Sequence, residues 1–267
     1  MRSDFHMHTG FSSDTDVKPE DMVTGAIAKG LQCICITDHY DKDYCDGDEL
    51  FIFEPEDYIK YMMGLQNKYK EEIDIRIGVE IGLQKHLKGF YHTFTKAYPF
   101  DFVIGSAHLL KGADPYNREV FQGVDDRQSY REAFEEMLEL VNAIDDFDVL
   151  GHLDYVVRYG NEQATHYSYK AYAEIIDEIL KTIINKGKGI ELNTAGYKYG
   201  LGFAHPHPEV LARYKELGGE IITIGSDGHM PEHIAYEFGL VNELLKQSGF
   251  KYYTEFKERK PIFCKLL

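Results

Sequence analysis

His6 and His8 stand two residues apart in Asp4-Phe5-His6-Met7-His8, and on an extended strand that spacing turns both imidazoles to one face. Two imidazoles on one face can begin a site for a transition-metal ion, for which nitrogen is a suitable ligand. The same residue types return near the ends of further short apolar runs. His39 follows Thr37-Asp38, Glu80 lies in Gly78-Val79-Glu80, His108 follows Ser106-Ala107 and His152 follows Gly151. Asp227 and His229 close the set in Gly225-Ser226-Asp227-Gly228-His229. Strand ends that are far apart in sequence can converge in space, and a convergent set of imidazoles and carboxylates suits metal-assisted hydrolysis. Each motif alone is weak; the repeated strand-end placement is specific.

Glu80 carries the sharpest single signal, because a carboxylate inside an apolar strand is costly unless it is paired or metal-bound. Its two oxygens make it a natural bridge between ions. Asp14, on the loop after His8, could reach a further ion; Asp16 competes for that role, and either could instead cap the helix starting near Pro19. Asp38 either packs beside His39 or orients the ligand shell, and Asp154 reads as a supporting partner or a turn residue. His6, His8, His39, His108, His152 and His229, with Asp14, Glu80 and Asp227, suit two or three divalent ions of the Zn, Mn or Fe kind rather than Ca. Cys33 and Cys35 share a strand face short of its end and read as core. His86, His92, His166 and His233 read mostly as surface residues, whereas His205 and His207 follow another strand and could border the site.

The elements that must position these residues alternate. Strands are predicted at 3–7, 33–37, 73–81, 102–106, 149–152, 189–193 and 221–225. Helices are predicted at 19–29, 55–69, 129–144, 168–185, 208–217 and 231–248, with Pro19, Pro55, Pro208 and Pro231 in tolerated first-turn positions. Such alternation implies a mostly parallel sheet, and ligands at the C-terminal ends of about seven strands favour a barrel. A Rossmann sheet is the rival, but no GxGxxG follows the first strand. No linker or repeat divides the chain, so one domain over 1–267 is expected. Two long loops, the acidic Tyr40–Glu49 and the stretch from His108 to Gly123, read either as lids or specificity elements or as plain solvated loops.

Composition narrows the class. The apolar runs are too short to cross a membrane, and no apolar stretch follows the basic residue near the N-terminus. Cys33, Cys35, Cys45 and Cys264 form no CxxC pair, so a reduced cytoplasmic setting is expected. A formal charge of −16 argues against broad nucleic-acid binding. An anionic substrate would need positive charge created locally, by metal ions or a few placed cations. Oligomeric state is left open.

In order, these residues resemble the polymerase and histidinol phosphatase (PHP) family: an HxH pair, a further Asp, a strand-end His, a buried Glu, two more His and a final DxH. The opening His8-Thr9-Gly10-Phe11-Ser12-Ser13-Asp14 and Glu191-Leu192-Asn193-Thr194-Ala195-Gly196 are most similar to its stand-alone histidinol-phosphate phosphatases. The resemblance implies a distorted (β/α)7 TIM-like barrel, α/β in class, with three divalent ions. It assigns His6, His8, Glu80 and Asp227 to one ion, Glu80, His108 and His152 to a second, and Asp14, His39 and His229 to a third. The expected activity is hydrolysis of L-histidinol phosphate by metal-activated hydroxide, a step of histidine biosynthesis. Relatives often carry Arg where this chain has Tyr197-Lys198-Tyr199, and Lys198 keeps charge without the bidentate geometry. Arg158 is therefore the clearer phosphate clamp, with Lys198 beside it to neutralise developing charge; a metal-bound water or His205 could protonate the leaving alkoxide, and Asp41 or Asp43 could select a cationic amine. The alternatives are another small phosphate ester or nucleotide as substrate, an amidohydrolase, and a catalytically silent metal-stabilised binding barrel.

Overall fold

A computed structural model describes residues 1–47 and 49–266; Asp48 of the acidic loop and Leu267 at the end of the expected domain lie outside the described residues. Seven parallel strands run in the order β1 (Ser3–Asp4), β2 (Cys33–Ile36), β4 (Asp74–Gly82), β5 (Phe102–Ser106), β6 (Val149–Leu150), β7 (Gly189–Asn193) and β8 (Ile222–Gly225). The first and last of these meet: Phe5 N–H donates to the Ile224 carbonyl and Asp227 N–H to that of His6, each at 2.8 Å. The sheet thus nearly closes into the expected barrel. The short strand β3 (His39–Tyr40) resumes the line of β2 after a break at Thr37-Asp38 and pairs His39 with Glu80 on β4. That register is what brings the His39 ring to the Glu80 carboxylate.

The helices α1 (Pro19–Ala28), α2 (Tyr44–Gly47), α3 (Pro55–Tyr69), α4 (Lys88–Ala97), α5 (Asp126–Ala143), α6 (Tyr169–Asn185), α7 (Ala195–Lys198), α8 (Pro208–Glu216) and α9 (Phe238–Gln247) lie along the crossovers. Proline occupies the first turn of α1, α3 and α8, where its missing N–H costs nothing. α5 begins three residues before its predicted start because the Asp125 carboxylate accepts from Arg127 N–H and caps it there. The predicted helix 231–248 is interrupted. Pro231–His233 is a single 3₁₀ turn, and Ala235 and Glu237 then adopt left-handed backbone before α9 begins.

Inside the barrel, Phe5, Cys33, Cys35, Phe102, Ile104, Val149 and Phe256 form a separate apolar cluster beneath the strand ends. Cys33 and Cys35 are core residues, as their position short of the strand end implied. Gly78 makes room for Cys35, since a Cβ there would lie 2.6 Å from its Sγ. Phe256 comes from an unpredicted antiparallel hairpin, β9 (Tyr252–Lys257) and β10 (Lys260–Lys265), lying at the N-terminal ends of the strands. Arg259 N–H donates to the Asp101 carbonyl, and the Arg259 guanidinium bonds Asp148 at 2.5 Å. Phe256 is 2% exposed with its ring 5.0 Å from that of Phe102. Phe256→Ala should therefore cost about 3–5 kcal/mol in urea unfolding while leaving kcat unchanged. A loss well under 1 kcal/mol would show that the ring does not seal the barrel floor. Among the described residues, no helix is long and apolar enough to cross a membrane.

Candidate metal centre

Glu80 is the centre of the site. Its side chain is 0% exposed, and Ser106 Oγ donates to Oε1 at 2.6 Å. His108 Nε2 and His152 Nε2 lie 3.1 and 3.0 Å from that same oxygen. The other oxygen, Oε2, has no hydrogen-bond partner, yet His6 Nε2, His8 Nε2 and His39 Nδ1 stand 3.2, 3.5 and 3.0 Å away. His6 Nε2 and His8 Nε2 are themselves only 3.0 Å apart. A buried orphan carboxylate oxygen ringed by imidazole nitrogens is expensive as it stands, and cations among the lone pairs would relieve it. The donor set therefore fits divalent ions.

Among the described residues, four groups of donor atoms lie close enough together for one ion each. His6, His8 and Glu80 form one, Glu80, His108 and His152 a second, and His8, His39 and His229 a third. The fourth, His39, Asp41 and His108, overlaps the others. Asp227 Oδ1 lies 3.6 Å from His8 Nε2, on the first group, and Asp14 Oδ2 lies 2.9 Å from His229 Nε2, on the third. Of the two candidate aspartates, Asp14 joins the cluster, through His229 and His39. His8 is shared between two groups, a position that the family resemblance does not assign to it.

Support for these rings comes from carboxylates behind them. Asp41 Oδ2 is 2.6 Å from His108 Nδ1, and Glu191 Oε1 is 2.6 Å from His6 Nδ1. Asp38 does not hold the His39 ring. Its carboxylate accepts from Thr9 N–H, Thr9 Oγ1 and Ser12 Oγ, and Ser12 Oγ in turn lies 3.0 Å from His8 Nδ1. Asp4 braces the Asp227 loop by accepting from Ser226 N–H and Ser226 Oγ. Glu191 is absent from the sequence-derived set. Its signal was available in Gly189-Ile190-Glu191-Leu192-Asn193, another carboxylate within a buried strand.

Burial and the neighbouring charges divide the imidazoles. Burial, reinforced by His39 and His229, holds His8 well below the usual imidazole range, and burial also lowers His152. For His108 burial works against charge, but Asp41 and Glu80 overcome it and raise its pKa to about 10. Against the same burial penalty, Glu191 and Glu80 hold His6 high, and Glu80 does so for His39. An imidazolium cannot ligate, so loading zinc into the metal-free protein near neutral pH should expel protons. Titration of zinc in dilute buffer should show proton release, and acidification should reverse the loading; uptake without proton release would contradict this protonation pattern.

Above the donors is a cavity of about 340 Å³. Arg158 enters it with Nε and Nη1 unpartnered, its guanidinium 4.3, 5.0 and 4.0 Å from the ring centres of Tyr155, Tyr159 and Tyr199. The two long loops contribute Asp41 and Tyr44 from one side and Asp114 and Tyr116 from the other. Asp43 does not reach the cavity; it is tied to His86 and Lys42 outside.

Two predicted catalytic residues are placed differently. Lys198 does not line the cavity; its ammonium donates to the Asp227 carbonyl at 3.1 Å, and Tyr199 takes the wall position instead. His205 is 0% exposed, with Nδ1 2.5 Å from Asp154 Oδ1, and it too is absent from the cavity wall. The Asn193–His205 bridge draws it behind the strand ends, where Asp154 also accepts from His207 N–H. Neither is positioned to touch a bound ester directly.

The PHP domain model matches residues 4–195. The histidinol-phosphatase of Lactococcus lactis is 33% identical over 263 residues, 96% of this chain and 95% of that protein. A protein of Clostridium acetobutylicum named probable histidinol-phosphatase is 34% identical, covering 94% of this chain and 95% of its own. The crystal structure of histidinol phosphate phosphatase from L. lactis, complexed with zinc, L-histidinol and phosphate, superimposes with a TM-score of 0.90 at 31% identity over 98% of both chains. Matched over more than half its length by the family model, and along nearly all of it by these relatives, the chain belongs to the PHP family.

Proposed function

We infer that this protein is a metal-dependent phosphomonoesterase that hydrolyses L-histidinol phosphate to L-histidinol and phosphate. The observation that carries the reading is the joining, in one cavity, of the Glu80-centred donor cluster with the unpartnered edge of Arg158 and an outer wall of acids and aromatic rings. The likeness to the L. lactis enzyme along the whole chain points to the same ester.

His6, His8, Glu80 and Asp227 would hold one ion, Glu80, His108 and His152 a second, and Asp14, His39 and His229, with His8 at their border, a third. Divalent ions such as zinc, manganese or iron would supply Lewis acidity towards the phosphoryl oxygens and acidify water. The protein's own contribution begins with Arg158. Rings on its faces fix the guanidinium plane, so that Nε and Nη1 can donate to non-bridging phosphoryl oxygens without first reorganising. Asp41 and Glu191 hold the rings of His108 and His6 in place, and Lys198 holds the Asp227 backbone. Tyr44, Phe51, Asp114 and Tyr116 suit a leaving alcohol that is flat and cationic, as an imidazole with an ammonium group is.

The chain acts as one domain in this reading, on a small substrate and in the cytoplasm, a setting in keeping with cysteines that form no disulfide among the described residues. The test is phosphate release from L-histidinol phosphate against a panel of sugar, nucleoside and simple alkyl monophosphates, using metal-reconstituted protein. L-Histidinol phosphate should give the highest kcat/KM by at least an order of magnitude. Equal or better turnover of unrelated esters would reject the substrate while leaving the phosphatase class intact.

A further inference from the structure

Glu191 makes more contacts than the bracing of one ring requires. It lies inside β7, 1% exposed, and both its oxygens are engaged. Oε1 faces His6 Nδ1 at 2.6 Å, while Oε2 accepts from His152 N–H at 3.0 Å and from Asn193 Nδ2 at 3.2 Å. The Asn193 amide cannot be turned round, because its Oδ1 accepts from Ala195 N–H. The slot for the carboxylate depends on Gly225 of β8: a Cβ there would lie 2.3 Å from both Glu191 Oε1 and His6 Cβ. Three strand ends are thus built around this one group.

The rings that Glu191 supports face Glu80 on their other side. His6 Nε2 lies 3.2 Å from Glu80 Oε2, and His152 Nε2 lies 3.0 Å from Glu80 Oε1. Resting on the reading of His6 and His152 as ligands of neighbouring ions, we propose that Glu191 is the positioning residue that couples those two metal positions. An ionised carboxylate only accepts, so it keeps the hydrogen of a neutral His6 on Nδ1 and leaves the Nε2 lone pair for an ion. Its second oxygen fixes the backbone from which His152 projects. One rigid group therefore sets the spacing of the two histidines on opposite sides of the Glu80 bridge.

Glu191→Gln separates this role from simple space filling. Both ends of Glu191 accept, and a glutamine amide accepts at only one. If its NH2 faces His6, the ring must take the other tautomer and lose the Nε2 lone pair; if its NH2 faces His152 N–H, two donors collide. Zinc affinity, measured by chelator competition on the full-length protein, should fall about 10–100-fold, with kcat reduced more than KM is raised. In the zinc-loaded protein labelled with ¹⁵N-histidine, the downfield Nδ1–H signal of His6 should disappear if the amide NH2 faces the ring and shift upfield if its carbonyl does, which a merely structural defect in a folded variant would not cause. Glu191→Asp keeps both acceptors but withdraws them by one methylene, and its zinc affinity should fall by a smaller factor; it decides the matter should Glu191→Gln not fold. Wild-type zinc affinity with the His6 signal retained in Glu191→Gln, or wild-type affinity in Glu191→Asp where only that variant folds, would overturn the proposal. Failure of the wild-type protein itself to take up zinc would overturn instead the reading of the ligands on which it rests.

Discussion

Glu80→Gln should lower kcat/KM for L-histidinol phosphate by about 10³-fold or more and strip metal from the protein, the activity loss matching or exceeding that for deletion of a charge-stabilising donor. The substitution keeps volume and one carbonyl oxygen but removes the charge shared by the surrounding imidazoles. Oε1 serves His108 and His152, and Oε2 faces His6, His8 and His39. Burial alone would raise the Glu80 pKa, but His6, His108 and His39 hold it well below the ordinary carboxylate range. A neutral amide can bridge neither pair of positions as an anion does. Metal analysis by plasma mass spectrometry beside the kinetic assay checks both halves, and full activity with full metal content would refute the bridge.

Arg158→Lys should reduce kcat/KM by about 10²–10³-fold while metal content stays at the wild-type level. Charge is conserved, so the loss would report geometry. The guanidinium lies among Tyr155, Tyr159 and Tyr199 and offers two unpartnered nitrogens, whereas an ammonium can neither stack in that plane nor donate as a fork. Asp227 Oδ2, 3.9 Å from Nη1, adds a further reason for the side chain to keep its place. Activity within threefold of wild type would show that the phosphate is bound elsewhere in the cavity. Loss of metal together with activity would show that Arg158 supports the ions rather than the ester.

The metal cluster was legible because its members obey a local rule, a strand end followed by His, Asp or Glu, visible one motif at a time. What the sequence could not supply was direction. Lys198 and Tyr199 are adjacent, and the short helix α7 turns the tyrosine to the cavity and the lysine to the Asp227 carbonyl. His205 also follows a strand, but it bridges Asn193, bonds Asp154 and has no place in the cavity wall. Glu191 resembled ordinary strand interior because its partner His6 is distant in sequence and adjacent only once β8 meets β1.

The fold was legible in the same uneven way. The seven parallel strands follow from their apolar runs, whereas α4 begins Lys88-Gly89 with no capping side chain to announce it. The hairpin β9–β10 turns through Glu258 and Arg259, both in left-handed backbone, without the glycine or asparagine that usually marks such a turn. Ala235 and Glu237 likewise break the predicted last helix at residues that favour helices, so tertiary packing there overrides local preference.

The central claim, that one Glu80-bridged cluster of ions carries out histidinol phosphate hydrolysis, is met most directly by a metal titration of activity. Metal-free protein would be supplied with increasing zinc and assayed at each step for phosphate release from L-histidinol phosphate. Activity should be negligible without metal, rise with loading and reach its plateau at about three equivalents, one for each of the three ligand sets proposed above. Full activity in the metal-free protein, or a plateau at a single equivalent, would contradict it.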